Sequence, residues 1–409
     1  ITPEKLTMSE KLQNVLKALH GNGRGISRVA IDEAHCISQW GKDFRPSYGN
    51  CGLFKSFFPD VPIIALTATA SNTVRDDVIK QLKLDPVQVF QTSFNRANLR
   101  YEVWAKETEV EPVCTWIKKT YNNKTGIIYC MSRKECETVA EQLSSRNIRA
   151  QYYHADLPNE ERQTRQQQWY RGSIQVMVAT IAFGMGINKS NVRFVIHYTL
   201  PKSIESLYQE GGRAGRDGLL AHTIILYKYA DAQRVERLLN VSSTSLSMRI
   251  IPSTQTNESK KKLDSVVQYC ENKTECRRVL ILQALGEQFD AKCCNKTCDN
   301  CASPFTYEKK DCTAQVRSLL HCIYSMRERA TMVMITSVWR GANTAKTREK
   351  GYTMLSEFGK GRNMKKEAVM TLIKSLIRRG FLKEEIAYFG RNGGSCTYIT
   401  LGSKPIPDE

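Results

Sequence analysis

No stretch of the 409 residues holds the roughly 20 successive apolar residues of a bilayer-spanning helix, so no helical membrane segment is expected. The opening residues, ITPEKLTMSEKLQNVL, lack the charged-then-apolar layout of a secretory signal. The sequence therefore reads as one for a reducing, intracellular compartment. Disulfides are scarce there, so the 14 cysteines read as buried thiols and metal ligands. No internal repeat recurs. Negative charge is also in short supply: 41 Asp and Glu face 60 Lys and Arg, a net charge of +19. Such an excess favours a polyanion, because phosphates reward clustered Lys and Arg through counterion release.

The length allows two to four domains, and 41% hydrophobic residues can supply their cores. From Arg28 to about Tyr229, short β-branched runs alternate with amphipathic stretches. Strands are expected at 28–31, 62–66, 126–130, 174–180, 193–198 and 222–227, with helices at 72–82 and 133–146. Continuous apolar strands separated by helices predict an α/β fold, a parallel sheet covered on both faces. A boundary between two such lobes is expected near Phe94–Arg100. The Ser- and Thr-rich segment 241–262 reads as a linker, and 263–310 carries a cysteine cluster. Helical periodicity at 313–329 and 365–379, followed by IAYF, the turn-forming GRNGGS and CTYITL, predicts a winged helix. From Ala302 to Glu409 there are 19 basic and 10 acidic residues, so nearly half of the excess charge lies in this last quarter.

Asp32-Glu33-Ala34-His35 follows the first expected strand, where an α/β sheet presents chemistry. Asp32 can hold Mg²⁺ there and Glu33 can polarise an attacking water, the two carboxylate roles of ATP hydrolysis. His35, with Thr67 and Thr69 after the second strand, would relay nucleotide state. Far downstream, Gln209-Glu210-Gly211-Gly212-Arg213-Ala214-Gly215-Arg216 places two arginines three apart on a glycine-rich turn. They are expected to neutralise charge developing on a γ-phosphate. Gly184 and Gly186, in the run Ala179–Ile187, suit close backbone approach to a ligand. The competing reading of each motif alone is a solvated strand end or surface turn.

Five cysteines fall within 26 residues: Cys276, Cys293, Cys294, Cys298 and Cys301. Four thiolates so clustered suit a closed, tetrahedral, structural Zn²⁺. Spacing leaves Cys293 and Cys294 as alternatives for one ligand. In 365–379, Val369, Leu372, Ile373 and Leu376 share a face while Lys365, Lys366, Lys374, Arg378 and Arg379 lie largely off it, a pattern suited to a duplex backbone. Tyr388 and Phe389 at the hairpin approach are candidates for stacking on a terminal base pair, or for cross-strand packing.

The order DEAH, TAT, IIYC, ATIAFGMGI and QEGGRAGRDG matches motifs II to VI of superfamily 2 helicases. Cys36-Ile37-Ser38-Gln39-Trp40-Gly41-Lys42-Asp43-Phe44-Arg45-Pro46 resembles the aromatic-rich loop of the RecQ family, which senses single-stranded DNA. Similarity extends over essentially the whole chain and is greatest to the eukaryotic Bloom-syndrome type. The resemblance implies an ATP-dependent 3′-to-5′ DNA helicase of recombination, replication and repair, in the nucleus. Single-stranded and junction DNA, a topoisomerase and recombination complexes would be its partners. It implies zinc on Cys276, Cys294, Cys298 and Cys301, nucleotide contacts from Gln209, and stacking or phosphate contacts from Gln39, Trp40, Phe44 and Arg45. The corresponding domains are part of a first RecA-like lobe (1–95), a second lobe (96–240), a zinc subdomain (263–310) and a winged helix (311–404). Four positions depart from the family pattern: Lys42, Ala97, Asp156 and Gly211. No G-x-x-x-x-G-K-[ST] phosphate cradle occurs in the sequence, so these residues alone are expected not to hydrolyse ATP. The alternative is a non-enzymatic DNA-binding or strand-annealing module.

Overall fold

A computed structural model describes residues 1–21, 25–38, 46–68, 71–184, 187–241, 253–308, 310–389 and 394–406. Packing divides the chain into two units, Ile1–Phe305 and Thr306–Glu409.

In the first unit, β1 (Val29–Ile31) and β2 (Ile63–Ala65) pair in parallel, Val29 opposite Ile63. The ladder continues past the strands as Leu66 N–H donates to Ile31 O and Ala34 N–H to Leu66 O, each at 2.8 Å. Helix Asn72–Gln81 starts where Ser71 accepts from Val74 N–H, satisfying one of the free amides of the first turn. Its Val74 and Val78 pack with Ile31, Ala34, Ile37, Cys51 and Leu82 in a small core.

Six further strands form one all-parallel sheet: β3 (Leu99–Ala105), β4 (Thr125–Tyr129), β5 (Ala150–Tyr153), β6 (Val176–Ala179), β7 (Val192–His197) and β8 (Ala221–Tyr227). Their order is β3-β8-β7-β4-β6-β5. Every residue of the central β4, β6 and β7 is buried, because helices cover both faces. Alternate residues feed two cores: Ile127, Met177 and Val195 on one face, Ile128, Val178 and Ile196 on the other. Gly126 is required here, since a Cβ would stand 2.1 Å from the Phe194 ring. The two strands the sequence did not reveal, β3 and β5, are the sheet's edges. In β3 only Leu99, Tyr101 and Val103 are buried, and charged residues alternate with them, so no continuous apolar run marks it.

The expected linker 241–262 is corrected in its last part, where helix Ser253–Glu271 begins. Leu263, Val266, Val267 and Cys270 give that helix a buried stripe, and Glu258–Lys262 and Lys260–Glu236 ion pairs brace its start.

In the second unit, helices Thr313–Ser325, Met332–Trp339 and Lys366–Arg378 enclose a core of Leu319, Ile323, Ile335, Trp339, Val369, Ile373 and Leu376. β9 (Leu382–Phe389) and β10 (Gly394–Leu401) close over it as an antiparallel hairpin. The first helix ends at Ser325, short of the expected 329, because Met326 N–H already closes the last turn and Arg327 takes φ 55°. Among the described residues, no helix is long and apolar enough to cross a membrane.

Candidate functional site

The parallel pairing of β1 with β2 brings 32–35 and 66–68 to the same end of the two strands. His35, only 3% exposed, puts Nδ1 2.9 Å from Thr67 Oγ1 and 3.3 Å from a Glu33 carboxylate oxygen. Glu33 itself adopts φ 51°, a left-handed conformation uncommon for a residue with a Cβ. Its amide donates to Asp32 Oδ1 at 2.9 Å, and Asp32 stays exposed. Two carboxylates at a strand end, one tied through a buried histidine to the next strand's threonine, can hold a cation and report on it. Thr69, Gln39, Trp40, Lys42, Phe44 and Arg45 lie outside the described residues.

The arginine turn follows helix Ile204–Gly211, which carries Gln209. Arg213 donates to Gly184 O, and Arg216 donates to Ile187 O at 2.9 Å and Asn188 Oδ1 at 3.3 Å. The glycine-bearing loop after β6 and the arginine turn thus form one surface; Gly186 lies outside the described residues. A side chain at Gly184 would displace the Arg213 guanidinium, because a Cβ would fall 2.8 Å from Arg213 Nη2. Arg213 Nε is buried with no acceptor among the described residues. Burial and the neighbouring Arg213 and Arg96 cations push the Arg216 guanidinium below its ordinary pKa, so an anion here would relieve crowding.

Arg96 was not expected in this cluster. Its guanidinium donates to Gly212 O (3.4 Å), Ala214 O (3.3 Å) and Gly215 O (2.8 Å), while Asn98 donates to Gly215 O (2.8 Å) and Leu219 O (2.9 Å). Only the pairing of residues more than 110 positions apart reveals this role, which no local motif encodes. Gly211, a departure from the family pattern, backs onto Thr223: a Cβ would meet Thr223 Cγ2 at 2.6 Å. Asp156, another, forms an exposed ion pair with Arg133. The third, Ala97, offers its carbonyl to Arg278 at 3.1 Å.

Cys276, Cys294, Cys298 and Cys301 place their sulfurs within 4.8 Å of one another, whereas Cys293 is exposed and outside the group. The alternative ligand is therefore Cys294. Cys276 precedes helix Arg277–Ala284, and Cys298 caps Asp299–Ala302, its sulfur accepting from Cys301 N–H at 3.4 Å. A hydrogen bond from Cys276 lowers the Cys298 thiol to about 5, while that bond and burial raise Cys276. An all-sulfur shell of this size fits tetrahedral Zn²⁺ and leaves no open position. Both arginines after Cys276 are buried. Arg277 pairs with Asp299 at 2.8 and 3.1 Å, and Arg278 donates to Thr297 Oγ1, Asn95 Oδ1 and the carbonyls of 96, 97 and 99.

In the second unit, Val369, Ile373 and Leu376 face inward and Leu372 is half-buried, leaving Lys365 and Lys366 exposed at the helix start. Arg378 is half-buried in the last turn. Tyr388 and Phe389 fall on β9 opposite Ser395 and Gly394; their side chains lie outside the described residues.

Three family models match in succession: the helicase conserved C-terminal domain over 108–218, RecQ zinc-binding over 229–302 and the RQC domain over 306–404. The Saccharomyces cerevisiae ATP-dependent helicase SGS1 is 37% identical over 98% of this chain. The Schizosaccharomyces pombe ATP-dependent DNA helicase hus2/rqh1 is 39% identical over 99% of it, and the Pasteurella multocida ATP-dependent DNA helicase RecQ 40% over 93%. The chain spans 28%, 30% and 57% of those relatives' lengths. Catalytic-lobe, zinc and RQC models thus follow one another along a chain whose four clustered cysteines fit the metal: it belongs to the RecQ family of DNA helicases.

Proposed function

We propose that the protein containing this chain is an ATP-driven DNA helicase that unwinds 3′ to 5′ in recombination, replication and repair in the nucleus. The observation that carries the reading is the arginine turn. Arg213 and Arg216 are held by carbonyls of the loop after β6, with Arg96 crowding the same place, so three cations converge where one anion would satisfy them. In this reading 1–95 belongs to a first RecA-like lobe, 96–240 is the second, 263–310 holds zinc and 311–404 is a winged helix. Asp32 takes the Mg²⁺-linked role, Glu33 orients the attacking water, and His35 passes nucleotide state to Thr67 and Thr69. Gln209, Gly184 and Gly186 line the nucleotide, and Arg213 and Arg216 meet the transferring phosphoryl group. Asp32 would hold Mg²⁺, which when bound would offset phosphate charge. Gln39, Trp40, Phe44 and Arg45 take single-stranded DNA, Lys365, Lys366 and Arg378 the duplex backbone, and Tyr388 and Phe389 the terminal base pair. Topoisomerase and recombination-complex partners follow from the same family reading.

Because no residue of this sequence supplies a G-x-x-x-x-G-K-[ST] cradle, the 409 residues by themselves would not turn over ATP. The test compares DNA-stimulated ATP hydrolysis and DNA-duplex unwinding by the whole protein, its Arg213→Ala and Arg216→Ala variants, and the 409-residue stretch. The whole protein should be active, each variant about a thousandfold slower in ATP turnover, and the stretch inactive. Undiminished hydrolysis in both arginine variants would overturn the assignment; robust turnover by the stretch would remove the claim about the cradle.

A further inference from the structure

Residues 93–98, between the two sets of strands, have no regular structure of their own. Their conformation is imposed from outside, and the zinc module supplies most of it. Glu287 receives Ser93 Oγ at 2.5 Å and Phe94 N–H at 2.7 Å. Arg278, 2% exposed, sends Nη1 to Asn95 Oδ1 and Arg96 O, both at 2.8 Å, and Nη2 to Ala97 O and Leu99 O. Its Nε reaches Thr297 Oγ1, between ligands Cys294 and Cys298. Every acceptor named for this buried cation is a neutral oxygen. Burying a charge without a carboxylate is costly, and an apolar side chain would fill the space more cheaply. What the guanidinium adds is direction: a planar fork holding successive carbonyls of one segment.

The held segment in turn carries Arg96, whose side chain grips the carbonyls of Gly212, Ala214 and Gly215. Those residues form the turn that presents Arg213 and Arg216. Tyr208, on the helix leading into the turn, closes the circuit by donating to Phe94 O at 3.0 Å and packing edge-to-face on the Phe94 ring. A continuous polar path therefore runs from the metal ligands through Arg278 and Glu287 to 93–97, and through Arg96 to the arginine turn.

We infer that Glu287 and Arg278 are positioning residues for phosphoryl transfer: the zinc module fixes segment 93–97, and that segment holds the arginine turn in register. A zinc ion held by Cys276 would act beyond its own subdomain, because Cys276 begins the helix from which Arg278 reaches. This rests on the nucleotide-hydrolysis reading above. A displacement of the turn by about 1 Å would cost on the order of a hundredfold in rate, and loosening it by one lost anchor should cost about tenfold.

The experiment uses the whole protein with Glu287→Ala, Glu287→Gln and Ser93→Ala. Zinc content, amide hydrogen exchange in 93–99 and 212–216, and kcat and KM for ATP are measured together. Glu287→Ala should keep one zinc per chain and exchange about tenfold faster in both segments, with kcat about tenfold lower and KM within about twofold. Glu287→Gln, whose oxygen still accepts from Phe94 N–H, and Ser93→Ala, which removes the bond to Glu287 and the Asn95 N–H bond to Ser93 Oγ without touching the module, should fall between. Faster exchange in 93–99 with 212–216 unchanged would overturn the coupling, as would unaltered kcat in all three. If the unsubstituted protein hydrolysed no ATP, the hydrolysis reading would fail, while the exchange in 212–216 would still decide whether the path exists.

Discussion

Asp299 sits between two zinc ligands, and replacing it with asparagine should damage the protein more than removing its partner. The Arg277 side chain is 0% exposed, and Asp299, at 24%, answers it with both oxygens at 2.8 and 3.1 Å. Arg277 also donates to Tyr269 O. In Asp299→Asn the guanidinium stays buried and loses its counter-charge, a change that costs about 3–5 kcal/mol in such settings. In Arg277→Met the stranded group is instead a carboxylate with partial access to water, and it keeps the Val103 and Asn300 amides at 2.9 and 2.8 Å. That loss should be about 1–2 kcal/mol. At roughly 2–4 °C per kcal/mol, the asparagine variant should lower the melting transition of the zinc-bearing unit by about 6–20 °C, and the methionine variant by less than half of that. Calorimetry on zinc-loaded protein reads both. An asparagine variant that melts with the parent, or a reversed order of the two, would refute the claim that the buried cation dominates.

Three other outcomes follow from the same geometry. Cys293→Ser should leave one zinc per chain, and Cys294→Ser should lose it, as metal analysis of the purified proteins would read. Burial first, and the Arg100 cation second, push the His222 pKa from 6.5 to about 4. The unfolded chain takes up that proton more readily, so the stability tied to neutral His222 is complete above pH 6.5 and drains away as pH falls toward 4. His222→Gln should flatten the change in urea midpoint between about pH 7 and about pH 5. Restoring the family's usual residue with Gly211→Thr should cost about 1–3 kcal/mol through the clash with Thr223, and Thr223→Ala should recover most of it; urea unfolding of the single and double variants measures both.

What the sequence made legible followed from how local each signal was. β4, β6 and β7 announced themselves because strands buried on both faces must be apolar throughout, and the cysteine spacing marked its own cluster. The edges β3 and β5 stayed hidden because half of their residues face outward and read as polar. Spacing also could not separate Cys293 from Cys294. Only the turn in which Lys292–Cys294 coil and Asn295 takes φ 50° decides which sulfur points inward. Arg96 was invisible for a different reason: its acceptors are backbone carbonyls, which leave no trace in residue identity. Arg277 and Arg278 are equally silent as single residues, yet Arg277 pairs with Asp299 beside the ligand Cys298, and Arg278 holds the carbonyls of 96, 97 and 99 where β3 begins.

That bonding bears on why the metal lies where it does. β3 ends the six-stranded sheet, and an unpaired edge strand invites other strands to add to it. Tyr101 N–H donates to Thr297 O at 3.3 Å, and Val103 N–H donates to the Asp299 carboxylate at 2.9 Å. Two successive outward-facing amides of β3 are thus taken by residues flanking the ligand Cys298, which itself bridges to Tyr101. A covering segment this short has little apolar surface with which to order itself, since helix Asp299–Ala302 spans only 4 residues. Thiolate–metal bonds at the four cysteines would supply the order that hydrophobic burial cannot at that length. The cysteine cluster, the edge of the sheet and the anchoring of 93–97 are therefore one structural solution, in which a single bound metal would fix the cover, the edge and the segment feeding the arginine turn.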